Sequence, residues 1–252
     1  MSTGQPRRVP SAAGDGFGMP GRGYSESPDG GDTWVRPDEG IEHHYLFGLA
    51  VDPAGKFLYV NNFNANSVSA FQIDSATGAL TPAPGFTTPT GQTPIGLLAD
   101  PNGKFIYVAD HMSSTVSAYQ VDASTGALSR LSGPVAGAAT CGSTCHLNPL
   151  RMAIDPKDRF LFASNVGANT LSGFSLMNGS LSPLAETPAT GQHPFGVAFD
   201  PSGAFLFVIN KVDNTISAFS VDSTSGALTA LAGSPFSEGA SAPIGILTIA
   251  KQ

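Results

Sequence analysis

Asp52-Pro53-Ala54-Gly55-Lys56-Phe57-Leu58-Tyr59-Val60 decides the fold, because the stretch returns three more times. It comes back as Asp100-Pro101-Asn102-Gly103-Lys104-Phe105-Ile106-Tyr107-Val108 and as Asp155-Pro156-Lys157-Asp158-Arg159-Phe160-Leu161-Phe162-Ala163. The fourth copy is Asp200-Pro201-Ser202-Gly203-Ala204-Phe205-Leu206-Phe207-Val208. The anchoring aspartates lie 48, 55 and 45 residues apart. That period is the length of one four-stranded propeller blade.

Each unit reads as four short strands, A to D. Strand A is Gly48-Leu49-Ala50-Val51, matched by Gly96-Leu97-Leu98-Ala99 and Gly196-Val197-Ala198-Phe199. Strand B is the Phe-rich end of the quoted stretch. Strand C is Ser67-Val68-Ser69-Ala70-Phe71-Gln72-Ile73 and its three counterparts, where apolar and small polar residues alternate with the period of a strand. Strand D begins near Leu80, Leu128, Leu181 and Leu228. Asp-Pro-x-Gly predicts a tight A–B turn, with Pro fixing its torsion and Gly supplying positive φ. Thr77-Gly78, Thr125-Gly126, Asn178-Gly179 and Ser225-Gly226 predict the C–D turns. These Asp and Gly residues are turn formers.

The expected fold is therefore an all-β propeller of four-stranded antiparallel blades, with four clear repeats and a fifth. Pro243-Ile244-Gly245-Ile246-Leu247-Thr248-Ile249 repeats the start of strand A. Left unpaired it would be an exposed edge, so it is expected to complete a fifth blade with strands from the N-terminus. Residues 1–40 form a Gly/Pro-rich segment with nine Gly and five Pro, and residues 41–252 hold the repeats. Ser27-Pro28-Asp29-Gly30-Gly31-Asp32-Thr33-Trp34 resembles the Asp-box, a hairpin turn of sialidase-type propellers. The resemblance implies the C–D hairpin of the closing blade.

Composition narrows the partners. Twelve Lys and Arg in a chain of net charge −7 leave no basic footprint for nucleic acid. No apolar run approaches the roughly 20 residues needed to span a bilayer. The first 30 residues show no apolar signal-peptide region, while the charge-poor surface leans towards an extracytoplasmic protein. Cys141 and Cys145 read as a small disulfide or two free thiols rather than a metal site, and no metal or cofactor is expected.

The unit Asp-Pro-x-Gly-Lys-Phe-Leu-Tyr-Val-Asn-Asn, with Asn-Ser-Val-Ser-Ala-Phe and Thr-Gly-Ala-Leu-Thr after it, resembles the lactonase-type propeller family. That family includes 6-phosphogluconolactonase-like proteins and borders on the YVTN-repeat surface proteins. The resemblance covers about residues 46–250 and implies seven blades, which would need about 340 residues. If the ring is incomplete, self-association would follow.

Antiparallel alternation puts the D–A and B–C loops on one side of the blades and the repetitive A–B and C–D turns on the other. All five histidines fall on the first side, as do the variable polar residues. Arg151 is the sharpest signal, since the aligned strand-A positions carry Gly48, Gly96, Gly196 and Gly245. A guanidinium there could clamp a carboxylate or phosphate, or steady an oxyanion. The connection leading to it, from Leu128 to Pro149, is also the longest of its kind.

Lactone hydrolysis needs a base to activate water and a cation or donor for the developing oxyanion. The candidate catalytic residues are Arg151, His193 and His111. The candidate substrate-binding residues are His146, Asn62, Asn165, Asn210 and Lys211. His193-Pro194 partly resembles a His-Pro-His segment of lactonase relatives, with Phe195 in place of the second His. Two functions follow: a lactonase-like hydrolase of a sugar lactone or related anionic metabolite, or a non-catalytic propeller serving as a binding or surface scaffold.

Overall fold

The computed structural model describes residues 48–131, 133–136, 146–185, 188–237 and 239. Among these residues there is no helix, and the strands form four antiparallel sheets, one per repeat. Blade I is β1 (Leu49–Val51), β2 (Phe57–Asn62), β3 (Ser67–Ile73) and β4 (Leu80–Pro89). Blade II is β5 (Pro94–Ala99), β6 (Phe105–Asp110), β7 (Thr115–Val121) and β8 (Leu128–Arg130), with β9 (Val135–Ala136) also pairing on β7. Blade III is β10 (Pro149–Ile154), β11 (Phe160–Asn165), β12 (Thr170–Met177) and β13 (Ser180–Pro183). Blade IV is β14 (Pro194–Phe199), β15 (Phe205–Asn210), β16 (Thr215–Val221) and β17 (Leu228–Ala230), with β18 (Phe236–Ser237) also on β16. The expected fifth-blade strand at 243–249 and the Asp-box-like stretch lie outside the described residues.

The aspartates shape the A–B turns as their side-chain chemistry requires. Asp52 Oδ1 accepts the N–H groups of Lys56 and Phe57 at 2.6 and 2.7 Å, and Asp100 does the same for Lys104 and Phe105. Gly55, Gly103 and Gly203 follow with positive φ, and in blade III Asp158 adopts φ +57° in their place. The C–D turns divide into two kinds. Asn178 and Gly179 are both left-handed, the pattern of a two-residue type I′ hairpin. Asp74, Asp122 and Asp222 instead cap longer loops, and these bonds hold their carboxyls below the usual range.

Blades pack in chain order, with β1, β5, β10 and β14 side by side. The core lies between neighbouring blades. Phe57, Tyr59 and Val68 of blade I meet Ile106, Val108 and Tyr119 of blade II. Tyr107 and Val116 meet Leu161 and Phe174, and Phe160 and Phe162 meet Val197, Phe199 and Leu206. Each such side chain stabilises its interface by about 1.5–3 kcal/mol on full burial.

Polar side chains staple the blades at the D–A side. The N–H of Thr93 donates to Asn66 Oδ1 at 2.7 Å, that of Leu147 to Ser114 Oγ at 3.1 Å, and that of His193 to Asn169 Oδ1 at 2.9 Å. In every case the acceptor sits just before strand C of one blade and the donor in the loop opening the next. Asn66, Ser114 and Asn169 hold φ near +55°, a conformation that Asn tolerates better than most side chains.

Candidate functional site

The site is built at the start of the inner strands of blades III and IV. On β10 the ladder pairs Pro149 with Asn165 and resumes at Met152 with Ala163, so Leu150 and Arg151 bulge out opposite Ser164. On β14 the same bulge falls at Phe195 and Gly196, between the Pro194–Asn210 and Val197–Val208 pairs. A bulge re-aims side chains, and here it frees Arg151 and Phe195 from the regular alternation.

Ser164 ties these two bulges together. Its hydroxyl is fully buried, accepts the N–H of Arg151 at 3.2 Å and lies 2.9 Å from the carbonyl of Phe195, to which it donates. The Arg151 guanidinium then lies 5.7 Å from the centre of the Phe195 ring, and the Lys211 ammonium 5.4 Å from it. The His193 ring stacks beside Phe195 at 6.4 Å, tilted by only 15°. Arg151, His193 and Lys211, three of the sequence candidates, thus meet around one half-buried aromatic ring. Each cation over a ring face contributes about 0.5–1 kcal/mol at a site open to water. On a chain of net charge −7 two such cations make a local positive spot suited to an anion.

His193 is held by its backbone. Its φ is +57°, its N–H is bonded to Asn169, and its carbonyl accepts the N–H of Lys211 at 3.0 Å. His111 comes from blade II and is half-buried. Its Nδ1 lies 3.3 Å from the carbonyl of Pro149, which can only accept, so Nδ1 carries the proton and Nε2 keeps its lone pair. Burial holds the His111 pKa below the ordinary histidine value, opposed in part by this hydrogen bond. His146 is exposed, with its carbonyl close against Gly167.

Asn62, Asn165 and Asn210 are placed differently from expectation. They are not loop residues but the last residues of β2, β11 and β15, and all are at most 1% exposed. The Asn62 amide donates to Ser67 and Ser69 at 3.0 and 2.8 Å. That of Asn165 donates to Thr170 and Ser172 at 3.1 and 2.9 Å, and that of Asn210 to Thr215 and Ser217 at 3.0 and 2.8 Å. Each braces strand B to strand C within its own blade. Asp110 is the blade II counterpart, accepting from Ser117 at 2.5 Å and from the N–H of Gly91 at 2.9 Å. Burial pushes its carboxyl up to about 6, against these hydrogen bonds.

Ser164 and Asn169 were not among the sequence candidates. Their signals are faint: a polar residue directly after the Phe-Leu-Phe-Ala run, and an Asn or Ser directly before each strand C. Cys141, Cys145, His43 and His44 lie outside the described residues. Among the described residues no group of three or more His, Cys, Asp or Glu is placed to hold a metal ion, and no helix is long and apolar enough to cross a membrane.

Repeated four-stranded blades packed inner strand to inner strand, with polar residues gathered where those strands begin, define a β-propeller. The sequence matches the family described as lactonase, 7-bladed beta-propeller, over residues 33–143 and 149–241, and the chain belongs to that family. Among curated proteins none matches it. Solved structures share the fold. A candidate 6-phosphogluconolactonase from Bacteroides fragilis superposes with a TM-score of 0.69 at 23% identity, over 80% of this chain and 56% of that one. A protein from Lactobacillus plantarum gives 0.71 at 23%, over 88% and 67%. The periplasmic gluconolactonase of Pseudomonas aeruginosa gives 0.67 at 22%, over 84% and 65%. The chain thus spans between just over half and two thirds of the length of these structures.

Proposed function

We propose that the chain binds an anionic, sugar-derived lactone at the Phe195 cluster and hydrolyses it. The observation that carries this reading is the meeting of Arg151, Lys211 and His193 on one ring. In the proposed complex the sugar sits beside the Phe195 cluster, and Lys211 holds its carboxylate or phosphate. His111 Nε2 takes a proton from water as the water oxygen bonds to the lactone carbonyl carbon. The negative charge that develops on the carbonyl oxygen is met by the Arg151 guanidinium. As the carbonyl re-forms, the ring C–O bond breaks, and the leaving oxygen recovers the proton from His111. The product is an open hydroxy acid, and His193 orients the substrate from the side of the ring. Family membership supports this chemistry, as do the lactonase names of two of the similar folds.

A non-catalytic binding role is the second reading. It is favoured by Phe195, which stands where the resembling His-Pro-His segment has its second histidine, and by the enclosure of Asn62, Asn165 and Asn210 within the blades. A panel of sugar lactones, followed by acid release and in parallel by calorimetric binding, separates the two. Turnover above the spontaneous rate that is lost in His111→Gln supports hydrolysis. Binding without turnover supports the second reading, and neither binding nor turnover sinks both.

A further inference from the structure

Blade II departs from the other three blades at three positions, and the three side chains are linked. Asp110 stands where blades I, III and IV have Asn62, Asn165 and Asn210. Tyr119 stands where they have Phe71, Phe174 and Phe219. Arg130, the partner of Tyr119 across β7 and β8, stands where those phenylalanines pair with Pro82, Pro183 and Ala230.

The Arg130 guanidinium donates to the Tyr119 hydroxyl at 3.0 Å and lies 3.5 Å from Ser117 Oγ. Ser117 donates in turn to Asp110 Oδ2 at 2.5 Å. A cation at the exposed outer edge of the blade is thus linked to a carboxylate that is 0% exposed. Burial disfavours the charge of Asp110, and the guanidinium offsets part of that penalty.

These side chains reach the connection between blades I and II. The Tyr119 hydroxyl donates to the carbonyl of Pro89 at 2.7 Å, to which Arg130 also donates at 3.3 Å. Asp110 Oδ1 accepts the N–H of Gly91 at 2.9 Å. The next two residues of this connection carry His111. Its N–H donates to the carbonyl of Thr93 at 3.1 Å, and that of Met112 to the Gln92 carbonyl and to Thr93 Oγ1.

Blade IV supplies the comparison within the same chain. Thr90-Gly91-Gln92-Thr93-Pro94 recurs as Thr190-Gly191-Gln192-His193-Pro194. The N–H of Lys211 bonds to the His193 carbonyl as that of His111 does to the Thr93 carbonyl. The brace there is the neutral Asn210, whose amide nitrogen serves Thr215 and Ser217 while its Oδ1 has no hydrogen-bond partner. The Asp110 carboxylate uses both oxygens, one for the hairpin of its own blade and one for the incoming loop.

We infer that Asp110 is a positioning residue for His111, fixing through Gly91 the loop on which the His111 backbone hangs. Its bearing on catalysis rests on the proposed role of His111 as the base. A hydrogen bond to an ionised acceptor is about twice as strong as a neutral one, so the carboxylate holds the loop more firmly than an amide would. Arg130 favours the charged form, and Tyr119 holds the start of the loop.

Asp110→Asn in the 252-residue chain gives blade II the neutral brace of blade IV. At pH 7, NMR of the ligand-free protein is expected to show the N–H groups of Gly91 and His111 exchanging with water about tenfold faster, the difference between a charged and a neutral hydrogen bond. The N–H of Lys211, held in the same way in blade IV, should keep its wild-type rate. On a lactone that the wild type hydrolyses, kcat is expected to fall about tenfold with KM unchanged, because Arg151 and Lys211 still hold the anion. A brace without a positioning role would leave kcat and the His111 N–H unmoved, since Asn braces every other described blade. Where Asp110→Asn fails to fold, Arg130→Ala at the exposed edge takes its place, with a rise of about threefold expected in the same two N–H groups.

An unchanged His111 N–H in a folded variant overturns the inference, whatever happens to kcat. A rise shared equally by Lys211 would report a loosened fold and overturn it too. Faster exchange at His111 alone of these two, with an unaltered kcat or with no lactone turned over by the wild type, keeps the inference and overturns instead the proposed role of His111.

Discussion

The Arg151 guanidinium stands 5.7 Å from the centre of the Phe195 ring, across the boundary between blades III and IV. Blades I, II and IV carry glycine at the position of Arg151. At Gly48 and Gly96 a side chain would collide with the carbonyl of Ile95 or Leu150 on the next inner strand. Blade III carries Arg151 at this position instead, next to a bulge opposite Ser164, whose hydroxyl accepts the Arg151 N–H, so a glycine position of the other blades here holds a charge.

Arg151→Gly is expected to lower affinity or rate for an anionic lactone by roughly ten- to a hundredfold, the worth of one charge-assisted hydrogen bond of about 1.5–3 kcal/mol. Stability should fall by at most about 2 kcal/mol, from the lost ring contact and the freer unfolded chain. Arg151→Lys should land between, since it keeps charge but loses the planar fork. Full activity and ligand affinity in a folded Arg151→Gly protein would make the residue structural.

His111 sets the expected pH dependence. Its pKa lies below the ordinary 6.5 because burial disfavours the charged ring. As the base it must be neutral, so the acidic limb of kcat/KM should fall below pH 6.5, and activity should be flat through neutrality. His111→Gln should lower kcat by about a hundredfold or more. An unchanged acidic limb in that variant would remove His111 from the mechanism.

The blades were legible because their determinants are local. An Asp-Pro pair and a Gly two residues after the Pro make a turn whatever surrounds them, and a period of two makes a strand. Arg151 was legible as the exception in a row of glycines. Its meeting with Phe195, Lys211 and His193 was not, because contacts between blades depend on how bulges aim side chains. The buried asparagines show the opposite difficulty. A polar residue after a Phe-rich strand looks the same whether it faces a ligand or braces a hairpin. A Ser or Thr five and seven residues after Asn62, Asp110, Asn165 and Asn210 was the distinguishing signal, since that spacing sets donor and acceptor side by side across β2–β3 and its equivalents.

Asp110 is the one acid among these four braces, and the charge is costly there. Its carboxyl is raised from 3.8 in the unfolded chain to about 6 when folded. The folded state therefore binds the proton more tightly, and the contribution is fully present below pH 3.8 and lost as pH rises through 6. At pH 7 the ionised group destabilises by up to about 3 kcal/mol. Asp110→Asn restores the residue of the other blades, so denaturant midpoints should rise at pH 7 and change little at pH 4. A variant less stable at pH 7 would contradict this.

Asn169 carries both a positive φ and the bond to the His193 N–H. Asn169→Gly should lose only the bond, about 0.5–1.5 kcal/mol. Asn169→Ala adds left-handed strain of about 1–2 kcal/mol. Both should loosen His193 and weaken ligand binding alike, although their melting temperatures differ. Equal melting temperatures would mean that the strain is relieved elsewhere.

The last test concerns the interface that repeats through the molecule. Gly55 and Gly126 have φ of +68° and +75°, so alanine at either is strained by about 1–2 kcal/mol. They differ in surroundings. Gly55 faces open space, whereas a Cβ at Gly126 would strike the ring of Phe57, which is 3% exposed and belongs to the core between blades I and II. Gly126→Ala should therefore cost about 1–3 kcal/mol more than Gly55→Ala, the usual penalty for overpacking a filled core. Shrinking the ring should relieve it, so Gly126→Ala combined with Phe57→Leu should be more stable than the two separate losses predict. Urea denaturation of the four proteins gives the coupling energy directly. Additive losses, or equal losses at Gly55 and Gly126, would show that the Phe–Gly contact does not hold the blades together.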